Sequence, residues 1–426
     1  MFNKIKAYIK RYNFTSFLIK TAGTIIFYPI IAIYRWYLNN FTKIDSHRIV
    51  FASVPSMSDN SKTLYEWMKE RKLEFTYVWL VKDDFKKDYY KKIEEENNII
   101  IVKQNSKFYK GYSLKSMYFT AASKYIFFTH NSPIGSLKIK KDQIVINLWH
   151  GCGYKEANSL KESFDKKNPF DYVLVPGNIF IKTKMKSWGC NENMILPIGY
   201  PRYDLFFSEN NNAKKFMKDI AKERKKTIIW MPTFRKTDHY NLVEYDSDHH
   251  NEYDIPLLNS NEELQILNDF CADKNILLII KRHPYQKKYE GESFRFQNII
   301  FMSSEDFSHN EVDLYCFLKY TDALISDYSS VAFDYLLLNK PIAFSLDDYE
   351  KYKNKRGFIF ENPLDYMPGH HLYTFEDLKD FIQDVVDGKD PYTEDRKKLI
   401  PIVHNPCDDY CERIWNKVLE LSSEQE

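Results

Sequence analysis

The stretch ALISDYSSVAFDYLLLNKPIAFSL, residues 323 to 346, decides the fold class. It contains a short apolar run, a polar turn at Asp327 to Ser330, an apolar helical segment and a second short apolar run. A strand, a helix and a second strand in this order form a βαβ unit, whose two strands run parallel. Continuously apolar strands are typical of a parallel sheet that helices cover on both faces.

The same pattern extends in both directions from this unit, with charged helical stretches between the apolar runs. A first series of predicted strands covers residues 48–54, 75–81, 98–103, 124–129 and 143–150. A second series covers residues 171–177, 194–199, 226–233, 276–284, 298–302, 323–330 and 341–346. This alternation predicts an α/β protein with two doubly wound, Rossmann-like parallel-sheet domains that face one another across a cleft.

The expected domain organisation has three parts. Residues 1–44 form a basic and apolar segment, residues 45–205 an N-terminal α/β domain and residues 206–426 a C-terminal α/β domain. Whether the last helices pack back on the first domain stays open at this point. A chain of 426 residues is long enough for two hydrophobic cores.

The bulk composition excludes several classes of protein. A hydrophobic content of 44% and a charged content of 28% describe a globular chain, and a net charge of +2 gives no reason to expect a nucleic-acid partner. The six cysteines form no C-x-x-C pair, which favours a reduced, cytoplasmic protein. His404, Cys407 and Cys411 lie close together in sequence, but a turn followed by a helix explains them better than a zinc site does.

The N-terminal segment differs in character from the rest of the chain. It has no acidic residue before Asp45 and carries seven basic residues, Lys4, Lys6, Lys10, Arg11, Lys20, Arg35 and Lys43. Residues 21–34 are fourteen uncharged residues interrupted by Pro29, short of the ~20 that span a bilayer. We expect this segment to lie in the headgroup region of an anionic membrane, the alternative being a helix packed on the first domain.

Polar residues follow the predicted strands of the first domain, where open parallel sheets bind their ligands. His150 ends a very apolar strand and precedes Gly151, so it is placed for proton transfer or phosphate contact, or it only caps the strand end. Arg202 and Asp204 follow a Gly-Tyr-Pro turn as a cleft pair or as a structural ion pair.

The strand ends of the second domain are richer in basic and hydroxyl groups. Three basic residues at one strand end, Lys281, Arg282 and His283, are costly to leave unpaired and indicate an anionic ligand. Hydroxyls at a helix N-terminus can hold a diphosphate, although one serine is also explained as an N-cap. The residues that predict a nucleoside diphosphate donor in this domain are Thr233, Arg235, Arg282, His283, Asp327, Ser329, Ser330, Asp348 and Arg356.

Taken in order, these motifs resemble the CDP-glycerol glycerophosphotransferase family, which makes wall teichoic acid and related capsular polymers. The residues that carry the resemblance are SDNSKTLYE (58–66), NLWHG (147–151) with Lys155, GYPRYD (199–204), MPTFR (231–235), KRHP (281–284), ISDYSSVAFDYLLLNKPI (325–342) and the segment 348–357. Each motif is short, but the ordered set is specific and covers roughly residues 50 to 360.

The resemblance implies a GT-B fold with the acceptor on the N-terminal domain and a CDP-polyol, CDP-glycerol or CDP-ribitol, on the C-terminal domain. It also implies peripheral attachment to the cytoplasmic face of the membrane and a polyprenyl-diphosphate-linked saccharide or polymer as acceptor. The family's two important histidines match His150 and His283. Because the family's polymerases often carry a further N-terminal domain, the length of this chain favours a primase or short-polymer enzyme.

The expected mechanism is attack of an acceptor hydroxyl on the phosphorus that carries the polyol, with CMP as leaving group. His150 is the expected base, while His283, Arg282 and Arg235 stabilise phosphate charge and Ser329 and Ser330 hold the diphosphate. The remaining residues expected in the cleft are Gly151, Lys155, Arg202, Asp204 and Asp348. No carboxylate cluster has an evident metal spacing, so we expect no tightly bound metal, with Mg²⁺ assistance left open.

Two alternatives belong to other classes. A nucleotide-sugar glycosyltransferase of GT-B type would share the fold, but it would favour a glutamate that grips a ribose, and none lies near the DYSS segment (327–330). A non-catalytic scaffold would be expected to lose His150 or His283, and the chain keeps both.

Overall fold

The computed structural model describes residues 14–82, 87–155, 169–233, 255–282 and 296–425. The chain divides into two compact units. The first unit is Met1–His150, Ala157–Asp204 and Cys407–Glu426, and the second is Gly151–Glu156 and Leu205–Pro406. Both units are discontinuous in sequence, whereas the domains expected from the sequence are continuous ranges.

The first unit is built on a parallel sheet of seven strands in the order β3-β2-β1-β4-β5-β6-β7. Its strands are β1 Asp45–Ala52, β2 Thr76–Val81, β3 Ile100–Lys103, β4 Ser123–Phe128, β5 Ile144–Asn147, β6 Tyr172–Leu174 and β7 Ile195–Leu196. The second series of predicted strands begins with β6, but the range expected for the first domain, 45–205, includes both β6 and β7, and both extend this first sheet. The strand before His150 is therefore the fifth of seven, whereas the first series of predicted strands ended with it.

Aromatic side chains on neighbouring strands form part of the core of this sheet. The register pairs Phe51 of β1 with Trp79 of β2 and with Phe127 of β4. The Phe51 ring stacks on both partners, with centroid distances of 5.1 Å and 5.4 Å. Because cross-strand aromatic pairs add to the free energy of burial, this row fixes the register of the three central strands.

Six helices belong to the first unit in the described part of the chain. They are α1 Phe14–Phe41, α2 Asp59–Glu70, α3 Lys87–Asn97, α4 Leu114–Ala122, α5 Ile181–Trp188 and, after the second unit, the C-terminal helix α14 Tyr410–Ser423. Helix α1 continues through Pro29, where the sequence predicts an interruption. Pro29 has no backbone N–H, so the helix lacks one i→i−4 hydrogen bond at this position.

One side of α1 packs on the first unit and the other side is exposed. Leu38 is fully buried, and the Tyr34 hydroxyl donates to the carbonyl of Leu114 at 3.4 Å. On the opposite side Ile26 and Ile33 are each 67% exposed. Among the described residues, no helix has both the length and the apolar character required to cross a membrane.

The second unit contains a six-stranded parallel sheet in the order β10-β9-β8-β11-β12-β13. The strands are β8 Lys226–Trp230, β9 Ile276–Lys281, β10 Ile299–Met302, β11 Ala323–Ser326, β12 Ile342–Ser345 and β13 His370–Leu372. The structure confirms all twelve predicted strands of the two sheets, while β13 was not predicted. Its three residues, His-His-Leu, give no apolar run from which a strand could be recognised.

The second unit has eight helices within the described ranges. They are α6 Asn211–Ala221, α7 Asn261–Asp273, α8 Ser304–His309, α9 Leu314–Leu318, α10 Ser330–Tyr335, α11 Tyr349–Lys355, α12 Phe375–Asp387 and α13 Thr393–Val403. The predicted βαβ unit is present: β11 and β12 pair in parallel, and α10 lies between them in sequence.

The C-terminal helix α14 is attached to the first unit by a half-buried carboxylate and by ring contacts. Asp204 accepts hydrogen bonds from the backbone amides of Tyr410 and Cys411 at 2.7 Å and 2.8 Å. Trp415 contacts Phe75 edge to face, with ring centroids 5.5 Å apart. Asp204 therefore satisfies amides of the first helical turn, which have no partner within the helix itself.

Replacing Asp204 by alanine is expected to destabilise the protein by about 1–2 kcal/mol, because two amides of the first turn of α14 lose their acceptor. Urea denaturation followed by tryptophan fluorescence measures the loss. Asp408→Ala is the matched control, since Asp408 is an exposed carboxylate beside the same helix. Equal denaturation midpoints for Asp204→Ala and Asp408→Ala would show that Asp204 does not hold α14.

Candidate functional site

In the first unit, a tight turn after β5 positions His150. The backbone amide of Leu148 donates to Phe128 at 2.7 Å and continues the pairing with β4 beyond the strand end. The Asn147 side chain then accepts the amide of Trp149 at 2.9 Å, and Trp149 has a positive φ of 53°. This left-handed residue reverses the chain, so that His150 lies at the carboxyl end of the sheet.

Two residues of other segments hold this turn from outside. The Asn60 side-chain amide donates to the carbonyl of Trp149 at 2.8 Å, and its oxygen accepts the backbone amide of Arg202 at 3.1 Å. The Arg202 guanidinium donates to the carbonyl of His150 at 3.0 Å and pairs with Asp59 at 2.9 Å. The N-terminus of α2 and the turn at 201–206 thus determine where His150 lies.

The His150 imidazole stacks on a second histidine. His130 lies two residues beyond β4, and its ring is parallel to that of His150, with a centroid distance of 4.1 Å and an interplanar angle of 11°. Trp149 contacts the His150 ring at 3.9 Å. The Nδ1 atom of His150 lies 3.4 Å from the carbonyl oxygen of Thr129.

Both imidazoles are neutral at pH 7. Burial lowers the pKa of His130 to about 4. Burial also lowers the pKa of His150 well below its usual value, and the neighbouring His130, Lys184 and Arg202 lower it further. An unprotonated imidazole has a nitrogen lone pair and can take a proton from a hydroxyl group.

A buried lysine contributes to this electrostatic environment. Lys184 of α5 is 8% exposed, and its ammonium lies 4.4 Å from the centroid of Trp149 and 4.3 Å from that of Trp188. The faces of two tryptophans stabilise this cation. Its charge disfavours a second positive charge on His150.

In the second unit, three of the predicted site residues form one network. The backbone amide and the hydroxyl of Thr233 donate to the two carboxylate oxygens of Asp327 at 2.7 Å and 2.6 Å. The ammonium of Lys155 donates to the same hydroxyl at 3.1 Å. Thr233 follows β8 and Asp327 follows β11, and these two strands are neighbours in the sheet, so the carboxylate and the hydroxyl lie at the carboxyl ends of adjacent strands.

The segment after His150 packs on the start of α10. A Cβ atom at Gly153 would lie 3.0 Å from the backbone nitrogen of Ser330, so a larger residue would need the backbones to move apart. Gly151 has a φ of 129°, a conformation that favours glycine. Ser329 precedes α10, and its side chain makes no capping hydrogen bond, so the interpretation of this serine as a simple N-cap is not realised.

Asp348 and Arg356 lie at the two ends of α11. The Tyr328 hydroxyl donates to Asp348 at 3.0 Å, which connects the start of α11 to the turn after β11. Arg356 is the C-terminal cap residue of the same helix.

At the end of β9, Lys281 is 9% exposed, and burial lowers its pKa to about 8. Arg282 follows it and donates its backbone amide to Met302 at 2.9 Å.

Some expected site residues lie elsewhere. His283 and Arg235 are outside the described residues. Asp204 holds α14 as described above, and the carboxylate that pairs with Arg202 belongs to Asp59. His130 and Lys184 were missed, although His130 directly follows the predicted strand 124–129 and the rule used for His150 would have found it.

The described part of the chain contains no group of three or more His, Cys, Asp or Glu side chains that could hold a metal ion. The three residues near the C-terminus have separate surroundings. The Nε2 atom of His404 lies 2.8 Å from the carbonyl oxygen of Phe333, while the thiol of Cys411 lies 3.7 Å from that of Pro201. The predicted turn followed by a helix is confirmed.

The chain is similar to proteins of teichoic acid synthesis. It is 28% identical over 384 residues to the teichoic acid ribitol-phosphate polymerase TarK of Staphylococcus aureus, covering 85% of this chain and 66% of that protein. It is 29% identical over 286 residues to the teichoic acid glycerol-phosphate primase of Bacillus subtilis, covering 63% of this chain and 68% of the primase. Two further teichoic acid ribitol-phosphate polymerases are matched over 58% and 57% of their lengths.

The fold is similar to that of the wall teichoic acid polymerase TagF, with a TM-score of 0.69 and 21% identity over 96% of this chain and 99% of that structure. The model of the CDP-glycerol:poly(glycerophosphate) glycerophosphotransferase family matches residues 33–420, which include every described site residue. A match over this much of the chain identifies the family. This chain therefore belongs to the CDP-glycerol:poly(glycerophosphate) glycerophosphotransferase family.

Proposed function

We propose that this protein transfers a polyol phosphate from a CDP-activated polyol to a hydroxyl group of a teichoic acid or related capsular acceptor, with release of CMP. Membership of the family supports the reaction class. The observation that carries the proposal is the unprotonated His150 imidazole, which a buried ion pair and a stacked ring hold at the carboxyl end of the first sheet.

The proposed donor is CDP-glycerol or CDP-ribitol. The names of the relatives include both polyols, a ribitol-phosphate polymerase in one case and a glycerol-phosphate primase in another. Nothing in the contacts of the described residues favours one polyol. The proposed acceptor is a polyprenyl-diphosphate-linked saccharide or polymer at the cytoplasmic face of the membrane.

In the proposed reaction, the acceptor oxygen forms a bond to the phosphorus that carries the polyol, and the bond from this phosphorus to the bridging oxygen breaks. The electron pair of that bond leaves with CMP. The hydroxyl proton passes to His150, whose lone pair is available because burial and nearby cations disfavour its protonation. No covalent enzyme intermediate is needed, since phosphoryl transfer depends mainly on positioning and charge stabilisation.

The second unit is proposed to bind the donor. The Lys155 ammonium is directed by Thr233, which is itself fixed by both oxygens of Asp327. Because this hydrogen bond already restricts the Lys155 side chain, binding of a phosphate oxygen costs little additional side-chain entropy. Ser329, Ser330, Arg282 and Arg356 are proposed as further phosphate ligands. Arg235 and His283 have the roles that the family resemblance gives them, phosphate binding and charge stabilisation.

Release of CMP is the direct test. Purified protein with a lipid-linked saccharide acceptor is expected to release CMP from CDP-glycerol or from CDP-ribitol, and only when acceptor is present. UDP-glucose in parallel tests the glycosyltransferase alternative, and EDTA with and without added Mg²⁺ tests metal assistance. Turnover of the UDP-sugar alone would reject the proposed chemistry, whereas acceptor-independent CMP would indicate hydrolysis of the donor.

His150→Ala is expected to lower turnover by ~10² or more, with the KM for the CDP-polyol little changed, because a general base contributes to the chemical step and not to donor binding. In the wild-type protein, kcat/KM should fall only below about pH 6.5, the ordinary pKa of histidine. The value of kcat/KM falls towards acid pH because the imidazole loses its free lone pair only as pH falls through the lowered pKa of His150.

The control for this experiment is His47→Ala, which removes an exposed histidine from the first unit. Full activity of His150→Ala, or an acid limb centred above pH 6.5 in the wild-type protein, would contradict the assignment of His150 as base.

We further propose that the exposed side of α1 lies in the surface of an anionic membrane. Nine of the large hydrophobic side chains that are exposed in the described residues belong to this helix. Residues 14–44 contain no acidic residue. Phe108 is 66% exposed, and its carbonyl lies against Gly23 of the helix, so the apolar surface continues beyond α1. Lys107 and Lys110 beside it are exposed cations that suit anionic headgroups.

A variant with Ile26→Glu, Ile33→Glu and Trp36→Glu is expected to lose vesicle binding at least about tenfold, because three exposed apolar side chains that would enter the membrane surface are replaced by anions. Co-sedimentation with phosphatidylglycerol vesicles measures binding, with phosphatidylcholine vesicles for comparison. These residues are exposed, so the fold should persist, and circular dichroism checks this.

The matched control replaces three exposed apolar residues outside α1, Ile266, Ile402 and Leu419, by glutamate. Retained binding of the α1 variant, or an equal loss in the control, would show that α1 is not the membrane contact.

A further inference from the structure

His130 takes no part in the mechanism proposed above, yet its ring covers one face of the proposed base. The two rings are 4.1 Å apart and nearly parallel. They come from the ends of β4 and β5, adjacent parallel strands in register at Phe128 and Asn147. The pairing of these two strands brings the two histidines to the same edge of the sheet, and the contacts of Asn60 and Arg202 described above hold the turn that carries His150.

Thr129 contacts both imidazoles. Its carbonyl oxygen lies 3.4 Å from Nδ1 of His150, and its hydroxyl lies 2.8 Å from Nδ1 of His130. Thr129 is fully buried, so these two atoms hold fixed positions. A carbonyl oxygen only accepts hydrogen bonds, and it favours the His150 tautomer with the proton on Nδ1. That tautomer leaves the lone pair on Nε2, the atom then available for a hydroxyl proton.

We propose that His130 is a positioning residue, whose ring holds the plane of the His150 imidazole beside the Thr129 carbonyl and so fixes the tautomer of His150. The proposal rests on the proposed function in so far as His150 is the base of the reaction. It assigns to His130 no contact with substrate. A purely apolar ring would stack on His150 in the same way, but it could not take up a proton and so add a positive charge beside His150.

The charges around the pair determine the direction of its titration. The charged or titratable groups that face the two rings are Asp59 of α2, Lys82 after β2, Lys184 of α5 and Arg202 of the 201–206 turn. Three of the four are cations, and a proton on either imidazole would add a further positive charge beside the other. Removing His130 removes one source of this repulsion and admits water, and both changes raise the pKa of His150.

The first experiment is a histidine NMR titration of the full chain, which needs no turnover. The proteins are wild type, His130→Ala, His130→Phe and the control His47→Ala, each with ¹⁵N-labelled histidine. In His130→Ala the His150 signal is expected to titrate at higher pH than in wild type. Its nitrogen shifts should change from the Nδ1–H tautomer to a mixture of both tautomers. In His130→Phe the tautomer should stay fixed because the ring stack remains, while the titration still moves to higher pH.

The second experiment measures CMP release in the same variants. His130→Ala is expected to lower kcat about tenfold, as loss of a residue that orients a reacting group does, with the KM for the donor unchanged and the acid limb of kcat moved to higher pH. His130→Phe is expected to recover most of the kcat at pH 8, where charge repulsion no longer matters.

An unchanged His150 titration and tautomer in a folded His130→Ala protein would overturn the proposal. So would a loss of activity that is equal in the alanine and phenylalanine variants, independent of pH and accompanied by a lower Tm, because that pattern belongs to a structural role. If wild type releases no CMP from any donor while the NMR shifts occur as expected, the proposed function fails and the coupling of the two histidines stands.

Discussion

The buried ion pair between Arg202 and Asp59 is the interaction on which the described part of the first site depends. Arg202 is 4% exposed, so both charges have lost much of their hydration, which costs free energy unless every donor and acceptor is used well. The guanidinium donates to the His150 carbonyl as well as to Asp59. Because Asn60 adds bonds to Trp149 and to the Arg202 backbone, three segments distant in sequence are fixed around one turn.

This arrangement has an electrostatic consequence for the proposed base. A carboxylate beside an imidazole would raise its pKa and keep it protonated at pH 7. Here the carboxylate of Asp59 is engaged by Arg202, while Lys184 is stabilised by the faces of two tryptophans. Burial together with the nearby cations then leaves His150 uncharged. A low pKa makes the imidazole a weaker base, and in return the base is fully in its active form throughout the neutral pH range.

The sequence was sufficient to predict the parallel sheets, because short apolar runs such as 276–281 that alternate with charged helical stretches are typical of buried parallel strands. It was not sufficient to predict the order of the strands within each sheet, since strand order depends on crossover connections that leave no local pattern. The role of Asp204 was hidden for a similar reason: its partners, Tyr410 and Cys411, are more than two hundred residues away. His130 is different, because a histidine directly after an apolar strand was visible and was overlooked.

In both units, polar residues at the ends of adjacent parallel strands form the network, but the charges in the two networks differ. In the first unit, β4 and β5 bring together two imidazoles that must stay neutral, and the nearest carboxylate is neutralised by arginine. In the second unit, β8 and β11 bring a carboxylate and a hydroxyl together, and these direct a lysine that must stay charged.

The chain passes from the first unit to the second directly after His150. His150 takes part in the first network and Lys155, further along the same segment, in the second, so a substitution between them can disturb both networks. Asn60 belongs only to the first network and Asp327 only to the second. Substitutions at these two residues therefore separate the effects of the two networks.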